Sequence, residues 1–380
     1  MTKAPTPPTG LKIGVDSIPY NAGYPYPPSI TIASLTWDWS SLEETGAGSD
    51  LWHIAWTTDG YVYTAWGDGG GPNVPSDDGV VCRTHMGVAR TSSTPPRLSW
   101  SNRWGCKADG TGCQDWGKLW HDASCDAPYG GSLSDYGVPE VLFAVNNRVY
   151  VISSIQGVTE AKISYSDDGA ASWTTASWVW GTTTGGFYPS GFVAYGAGNA
   201  GARDGYAYLM GGKVGDIKGI YMARVPIGEL MTQGSYQYFT GTSSSPSWGT
   251  WANATRIHYD ASRNGPTDGP GLYNYVTSRM TYFPVIGRYI LMTNGGDIGM
   301  LRVYEAPEPW GPWKTVYYSD TWGNFGPTHA LYYTVIPKFT SSDNKTFWMT
   351  FSAGGGPVDY DKYHLIKGMF TLVADPPPGR

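Results

Sequence analysis

The feature that most limits what this chain can fold into is a short unit that returns five times. A turn built on Gly, Asn or Asp precedes a brief aromatic and β-branched run, which ends in small residues. The copies are DGYVYTAWGDGG, NNRVYVISS, DGYAYLMGG, GRYILMTNGG and NKTFWMTFSAGGG. Candidate partner strands lie between them: AKISYSDDG, GIYMARVPI, GMLRVYEAP and HLIKGMFTLV. Only residues 226–231, PIGELM, offer a helical turn. Repeated short strands without helices pack as a sandwich, a barrel or a propeller. The unit count favours the last. The expectation is an all-β chain, a single-domain β-propeller of five to seven blades over residues 31–374. An extended Pro- and Tyr-rich lead-in (1–30) precedes it and a short tail (375–380) follows.

The first copy sits in the segment DLWHIAWTTDGYVYTAWGDGGG, Asp50 to Gly71. Two strand-like runs, LWHIAW and YVYTAW, are joined through Asp59-Gly60, a strong short-range hairpin signal. Asp50 stands before the first run and Asp68 after the second. A hairpin brings those two ends together, so both carboxylates are expected at one rim of a sheet. The alternative is that each is a turn former beside Gly or Ser.

Composition narrows the function classes. With 28 Tyr and 18 Trp but only 15% charged residues, the chain has aromatic rings to spare for sugar faces. Trp52, Trp66 and Tyr136 are the candidate platforms for a polysaccharide substrate. The net charge of −6 and the lack of a basic run argue against nucleic acid as a partner. No stretch approaches the roughly 20 apolar residues that span a membrane. The N-terminal MTKAPTPPTG lacks an apolar signal core, which leaves a secreted protein without its signal, a virion component or a cytoplasmic protein open. Cys82, Cys106, Cys113 and Cys125 fall in one region, where disulfides or free thiols are expected. A structural zinc with His85 or His121 is the minority reading, and no metal or other cofactor is expected in the chemistry, although a structural calcium stays open.

Two constellations carry candidate chemistry. Asp50 and Asp68 supply the two carboxyl groups that glycosidases place across the scissile bond. Tyr188 and Arg203 lie fifteen residues apart. There Arg203 would clamp a substrate carboxylate and Tyr188 would move the proton, with His121 as a further base or charge neutraliser. The plain reading of Arg203 is a salt-bridged turn residue, and that of His53, inside the first strand, is structural. Nucleotide-binding, serine-hydrolase and zinc-protease motifs are absent from the sequence.

SDDGAASW, Ser166 to Trp173, resembles the Asp-box turn of sialidase-like propellers. More broadly, GSDLWHIAWTTDGYVYTAWGDGGG, NAGARDGYAYL, VPIGELMTQGSYQYFTG and YEAPEPWGPWKTVYY together resemble a group of bacterial β-propeller proteins classed as a domain of unknown function. The resemblance runs over about residues 48–370 and implies the propeller fold. It extends to two kinds of glycan-cleaving enzyme. Similarity to ulvan-lyase-type enzymes implies β-elimination at a uronate, with Tyr188, Arg203 and His121 as the site; their second histidine has no counterpart near Tyr136 or Val141. Similarity to the endo-D-arabinanase group implies hydrolysis through Asp50 and Asp68. The resemblance places elimination slightly ahead, with a non-catalytic glycan-binding or structural propeller as the third reading.

Overall fold

A computed structural model describes residues 23–46, 48–73, 84–105, 137–155, 160–181, 185–262, 278–294, 299–324, 330–353 and 362–373. After β1 (Ile32–Thr45), the first sheet takes β2 (Asp50–Trp56), β3 (Val62–Gly69), β4 (Thr84–Thr91) and β5 (Ser101–Trp104). The second takes β6 (Gly137–Val145), β7 (Arg148–Ile155) and β8 (Glu160–Ser166), with the short β9 (Thr174–Thr175) and β10 (Trp180–Gly181) both on β8. In the third, β11 (Phe187–Ala194), β12 (Tyr206–Lys213) and β13 (Asp216–Pro226) are followed by β14 (Gln237–Phe239), β15 (Trp248–Gly249) and β16 (His258–Tyr259). The fourth is β17 (Ser278–Phe283), β18 (Arg288–Thr293), β19 (Leu301–Ala306) and β20 (Lys314–Ser319). The fifth joins β21 (Leu331–Thr340), β22 (Thr346–Ser352) and β23 (Tyr363–Leu372) to β1, which returns from the start of the chain to lie antiparallel on β23. Among the described residues the helical elements are single 3-10 turns, one of them at Ile227–Glu229 where the sequence offered a turn.

The recurring unit maps onto the second strand of each sheet: β3, β7, β12, β18 and β22. Its turns behave as the sequence requires. At the first hairpin Gly60 adopts φ +90°, and Asp59 Oδ1 accepts bonds from Thr57 Oγ1 (2.5 Å) and the Tyr61 amide (3.3 Å). The Asp-box-like turn is also built. Asp168 accepts from the Ala171 and Ser172 amides and from the hydroxyls of Ser166 and Ser172. Burial opposes its charge, yet those donors outweigh it and hold the carboxyl near 2.

First strands are buried along nearly their whole length, as in β2, β11 and β21, whereas outer strands such as β8 alternate buried and half-exposed positions. A strand covered on both faces needs an unbroken apolar run, and one at an edge needs only every second residue. Five apolar clusters provide the covering. Each fills the space between two sheets: first and second, second and third, third and fourth, fourth and fifth, and fifth and first. The first strands touch in the same cyclic order, β2 against β6, β6 against β11, β11 against β17, β17 against β21 and β21 against β2. Between the third and fourth the contact includes parallel pairing, Val193 with Met280 and Ala194 with Thr281, which joins the two into one ten-stranded sheet. A cavity of about 20 Å³ lies among these five strands and is lined by all of them, for instance at His53, Leu142, Phe192, Thr281 and Thr334.

Two expectations fail on burial. Trp52 and Trp66 are fully enclosed, Trp52 edge-on to Tyr363 with its Nε1 donating to the Lys362 carbonyl, Trp66 donating to the Gly69 carbonyl. Both rings fill the space between the fifth and first sheets, so neither is a platform for sugar. Their strands, β2 and β3, are covered on both faces, which leaves no solvent face for a ring to use.

Candidate functional site

The heads of the five first strands converge at one end of the arrangement. Each contributes a residue out of keeping with its apolar strand. β2 brings Asp50 and His53, β6 brings Glu140, β11 brings Tyr188 and Ser190, β17 brings Arg279 and β21 brings Tyr332. Leu51, Val138, Leu331 and Tyr332 pack together beside them. Leu51 (φ +72°) and Tyr332 (φ +60°) hold left-handed backbone that bulky L residues avoid, costing roughly 1–3 kcal/mol each. Two such residues at one end of the molecule mark it as over-determined by its surroundings, a property of functional sites.

Hydrogen bonds wire the group across four strands. Arg279 Nη2 donates to His53 Nδ1 at 2.5 Å and to the Glu140 carbonyl at 3.5 Å, while Nη1 donates to the Ser190 carbonyl. With Nδ1 accepting, His53 carries its proton on Nε2 and donates to the Pro139 carbonyl at 2.7 Å. On the other side Ser154 Oγ, from β7, donates to Glu140 Oε1 at 2.5 Å and lies 3.2 Å from the Tyr188 hydroxyl. Glu140 and Arg279 sit deep in the protein and yet keep accessible surface, as groups on the wall of a recess do.

Burial sets the electrostatics. It raises the Glu140 carboxyl above the ordinary glutamate value, against the opposing hydrogen bonds of Ser154 and Tyr188 and the charge of Arg279. It lowers the Arg279 guanidinium to about 10. His53 is held well below its usual value, first by burial and then by the Arg279 charge, so the ring is neutral. The Tyr188 phenol is pushed far above its normal range by burial and then by Glu140. Chemically, the recess offers a carboxyl biased toward its protonated form, an accessible cation and a neutral imidazole.

The sequence candidates divide. Tyr188 belongs to this group and Asp50 lies at its edge, at the head of β2, buried and paired in the strand ladder with Gly67. A Cβ on Gly67 would stand 2.7 Å from Asp50 Oδ1, so the missing side chain makes room for the carboxyl. Asp68 follows Gly67 in β3, which puts its backbone at the same end; its side chain is not among those described, nor is that of His85 in β4, and His121, Tyr136 and the four cysteines lie outside the described residues. Arg203 does not join Tyr188. It follows the far end of β11, on the order of 20 Å along the strand at ~3.3 Å per residue, and grips Glu308 with two bonds of 3.0 Å. Its Nη1 also donates to the Tyr289 hydroxyl at 3.4 Å. The plain reading of Arg203 as a salt-bridged turn residue is the correct one. Most members of the cluster were missed or set aside in the sequence: Ser154, Ser190 and Tyr332 as well as the three that carry its electrostatics. Glu140 and Arg279 are lone charged residues at the head of apolar runs, VPEVLF and SRMTYF, and His53 was read as structural.

No family model matches the chain, and no curated protein does. Solved structures with a similar course of the chain include a β-xylosidase/α-arabinofuranosidase of glycoside hydrolase family 43 from a compost metagenome, at 13% identity and a TM-score of 0.49, over 90% of this chain and 98% of that one. A β-xylosidase matches at 11% identity and a TM-score of 0.49, over 88% and 96%. An α-L-arabinofuranosidase from Podospora anserina, solved with cellotriose, matches at 10% and 0.46, over 86% and 91%. At these values the chemistry has to be read from the residues themselves.

Proposed function

We propose that the five sheets form a closed five-bladed β-propeller and that the mouth holding Glu140 hydrolyses glycosidic bonds. The cyclic strand contacts, the five inter-sheet clusters and the return of β1 to β23 support the closed ring. The observation that carries the chemistry is the Glu140 carboxyl, deep, accessible and biased toward its protonated form, with a second buried carboxyl, Asp50, at the head of the neighbouring first strand β2. Glycoside hydrolysis needs such an unlike pair. One group gives a proton to the leaving oxygen as general acid, and the other acts as nucleophile or as the base for water. Glu140 takes the first role and Asp50 the second. Arg279 faces the recess as the group that orients polar or charged substrate substituents.

The test is a screen of plant and microbial glycans for new reducing ends, repeated with Glu140→Gln and Asp50→Asn. Cleavage that persists at full rate in either variant removes that residue from the mechanism, and no cleavage of any glycan by the native protein overturns the reading.

One observation favours a second reading, β-elimination at a uronate. Arg279 and His53 stand in the same cluster as Tyr188, which would supply the neutralising cation and the proton-transfer group. The raised Tyr188 phenol weighs against it, since a base of that kind has to be deprotonated first. Ultraviolet absorbance of an unsaturated product, appearing in step with cleavage, would replace hydrolysis by elimination.

A further inference from the structure

Ser154 has no part in the chemistry above, yet its placement is hard to account for as packing alone. It lies near the end of β7, the second strand of its sheet, and is fully enclosed. A buried hydroxyl has one proton to give. At 2.5 Å from Glu140 Oε1 it gives that proton to the carboxyl. Its lone pairs are then free to accept from the Tyr188 hydroxyl, 3.2 Å away. Tyr188 thus touches both partners of that bond: its hydroxyl lies 3.2 Å from Ser154 Oγ and also hydrogen-bonds Glu140.

We propose that Ser154 is a positioning residue, which fixes the rotamer of Glu140 and sets its proton affinity through this bond, with Tyr188 completing a relay of hydroxyls around the carboxyl. The inference rests on the reading of Glu140 as the general acid. A donor aimed at a carboxyl favours its ionised form and therefore opposes burial, which favours the neutral one. The remaining groups around Glu140 come from the other first strands: Arg279 on β17, neutral His53 and Asp50 on β2, Tyr188 on β11 and Tyr332 on β21. Arg279 acts in the same sense as Ser154, through charge. The relay keeps the carboxyl from being trapped in its protonated form, so that it can give up its proton in each turnover and regain it.

The experiment is a carbon-13 NMR titration of side-chain-labelled glutamate in the full chain, with the Glu140 signal identified by its loss in Glu140→Gln. In Ser154→Ala the Glu140 midpoint rises by about one to two pH units, the worth of one hydrogen bond to a charged group. Ser154→Thr, which keeps the hydroxyl, restores it. Tyr188→Phe, which removes a hydroxyl that bonds both Ser154 and Glu140, raises it as well and supplies the measurement should Ser154→Ala fail to fold. An unchanged Glu140 midpoint in the folded Ser154→Ala protein, or in Tyr188→Phe where that variant stands in for it, overturns the proposal. The titration needs no substrate. A shifted midpoint without cleavage of any glycan keeps the relay and overturns only the hydrolytic reading, whereas cleavage with an unshifted midpoint does the reverse. Where cleavage occurs, the alkaline limb of the pH–rate profile moves upward in Ser154→Ala by the same amount.

Discussion

The two ends of β11 each hold an arginine near a tyrosine, and they could hardly differ more. At the far end Arg203 is well exposed and bound twice by Glu308 beside Tyr289. At the near end Arg279 lies deep in a recess, bonded to a neutral histidine and to two carbonyls, with Glu140 and the enclosed Tyr188 close by. Chemistry of residue type is the same at both ends. What separates them is water. The exposed pair is screened and contributes little, while the recessed group keeps shifted proton affinities that a reaction can use.

The sharpest way to break this contrast is to neutralise its centre. Glu140→Gln keeps shape and removes the proton donor; glycan cleavage should fall by roughly 10²–10⁴-fold, measured as kcat with folding checked by circular dichroism. Trp66→Ala tests whether the first sheet is anchored by core rather than by ligand. Loss of a fully enclosed indole should cost about 3–5 kcal/mol in urea unfolding, whereas a sugar platform would cost affinity and almost no stability.

A third prediction uses two glutamates at the same end of the strands. Glu44 is held near 2 by the hydrogen bond and charge of His364, with Lys362 at 3.0 Å, against an opposing burial effect. Its native affinity for a proton lies below that of the unfolded chain, so its contribution is present above the ordinary glutamate value and fades as pH falls toward 2. Glu140 is shifted the other way. Its native affinity exceeds the unfolded one, so stability falls as pH rises from the ordinary glutamate value through the raised native one. Denaturant titrations across pH should show Glu44→Gln flattening the acid side and Glu140→Gln flattening the loss on the other. The smallest effect belongs to the exposed end: Arg203→Ala should change stability by no more than about 1 kcal/mol and leave cleavage rates intact. A large loss of activity there would return Arg203 to the site.

The strands on either side of a tight turn were legible because a hairpin writes itself locally. Turn residues such as Asp59-Gly60 and Asn146-Asn147 stand between runs that pair with each other, and neighbouring residues suffice to recognise them. The site was mostly not legible for the opposite reason. Glu140, Ser154, Tyr188 and Arg279 come from four strands spread over 140 residues, and only the stacking of sheets brings them together. The Tyr188–Arg203 spacing pointed along one strand, where proximity in sequence placed the two residues at opposite ends. A usable signal was present all the same, in single charged residues at the heads of runs such as VPEVLF and SRMTYF, where burial of a lone charge demands a reason.

The pairing of β1 with β23 carries a cost during biosynthesis. Of the described strands, β1 leaves the ribosome before all others and lies at the outside of the fifth sheet, and its partner β23 leaves after all others. For almost the whole of translation β1 has no neighbour, and the first sheet lacks the cluster it shares with the fifth. A nascent chain in that state presents an unpaired edge and uncovered tryptophans, the features that recruit chaperones or other copies of the chain. Ribosome-stalled lengths ending before β23 should therefore remain protease-sensitive in β1, and a permuted gene that starts at β2 and carries β1 after β23 should yield more soluble protein from the same message.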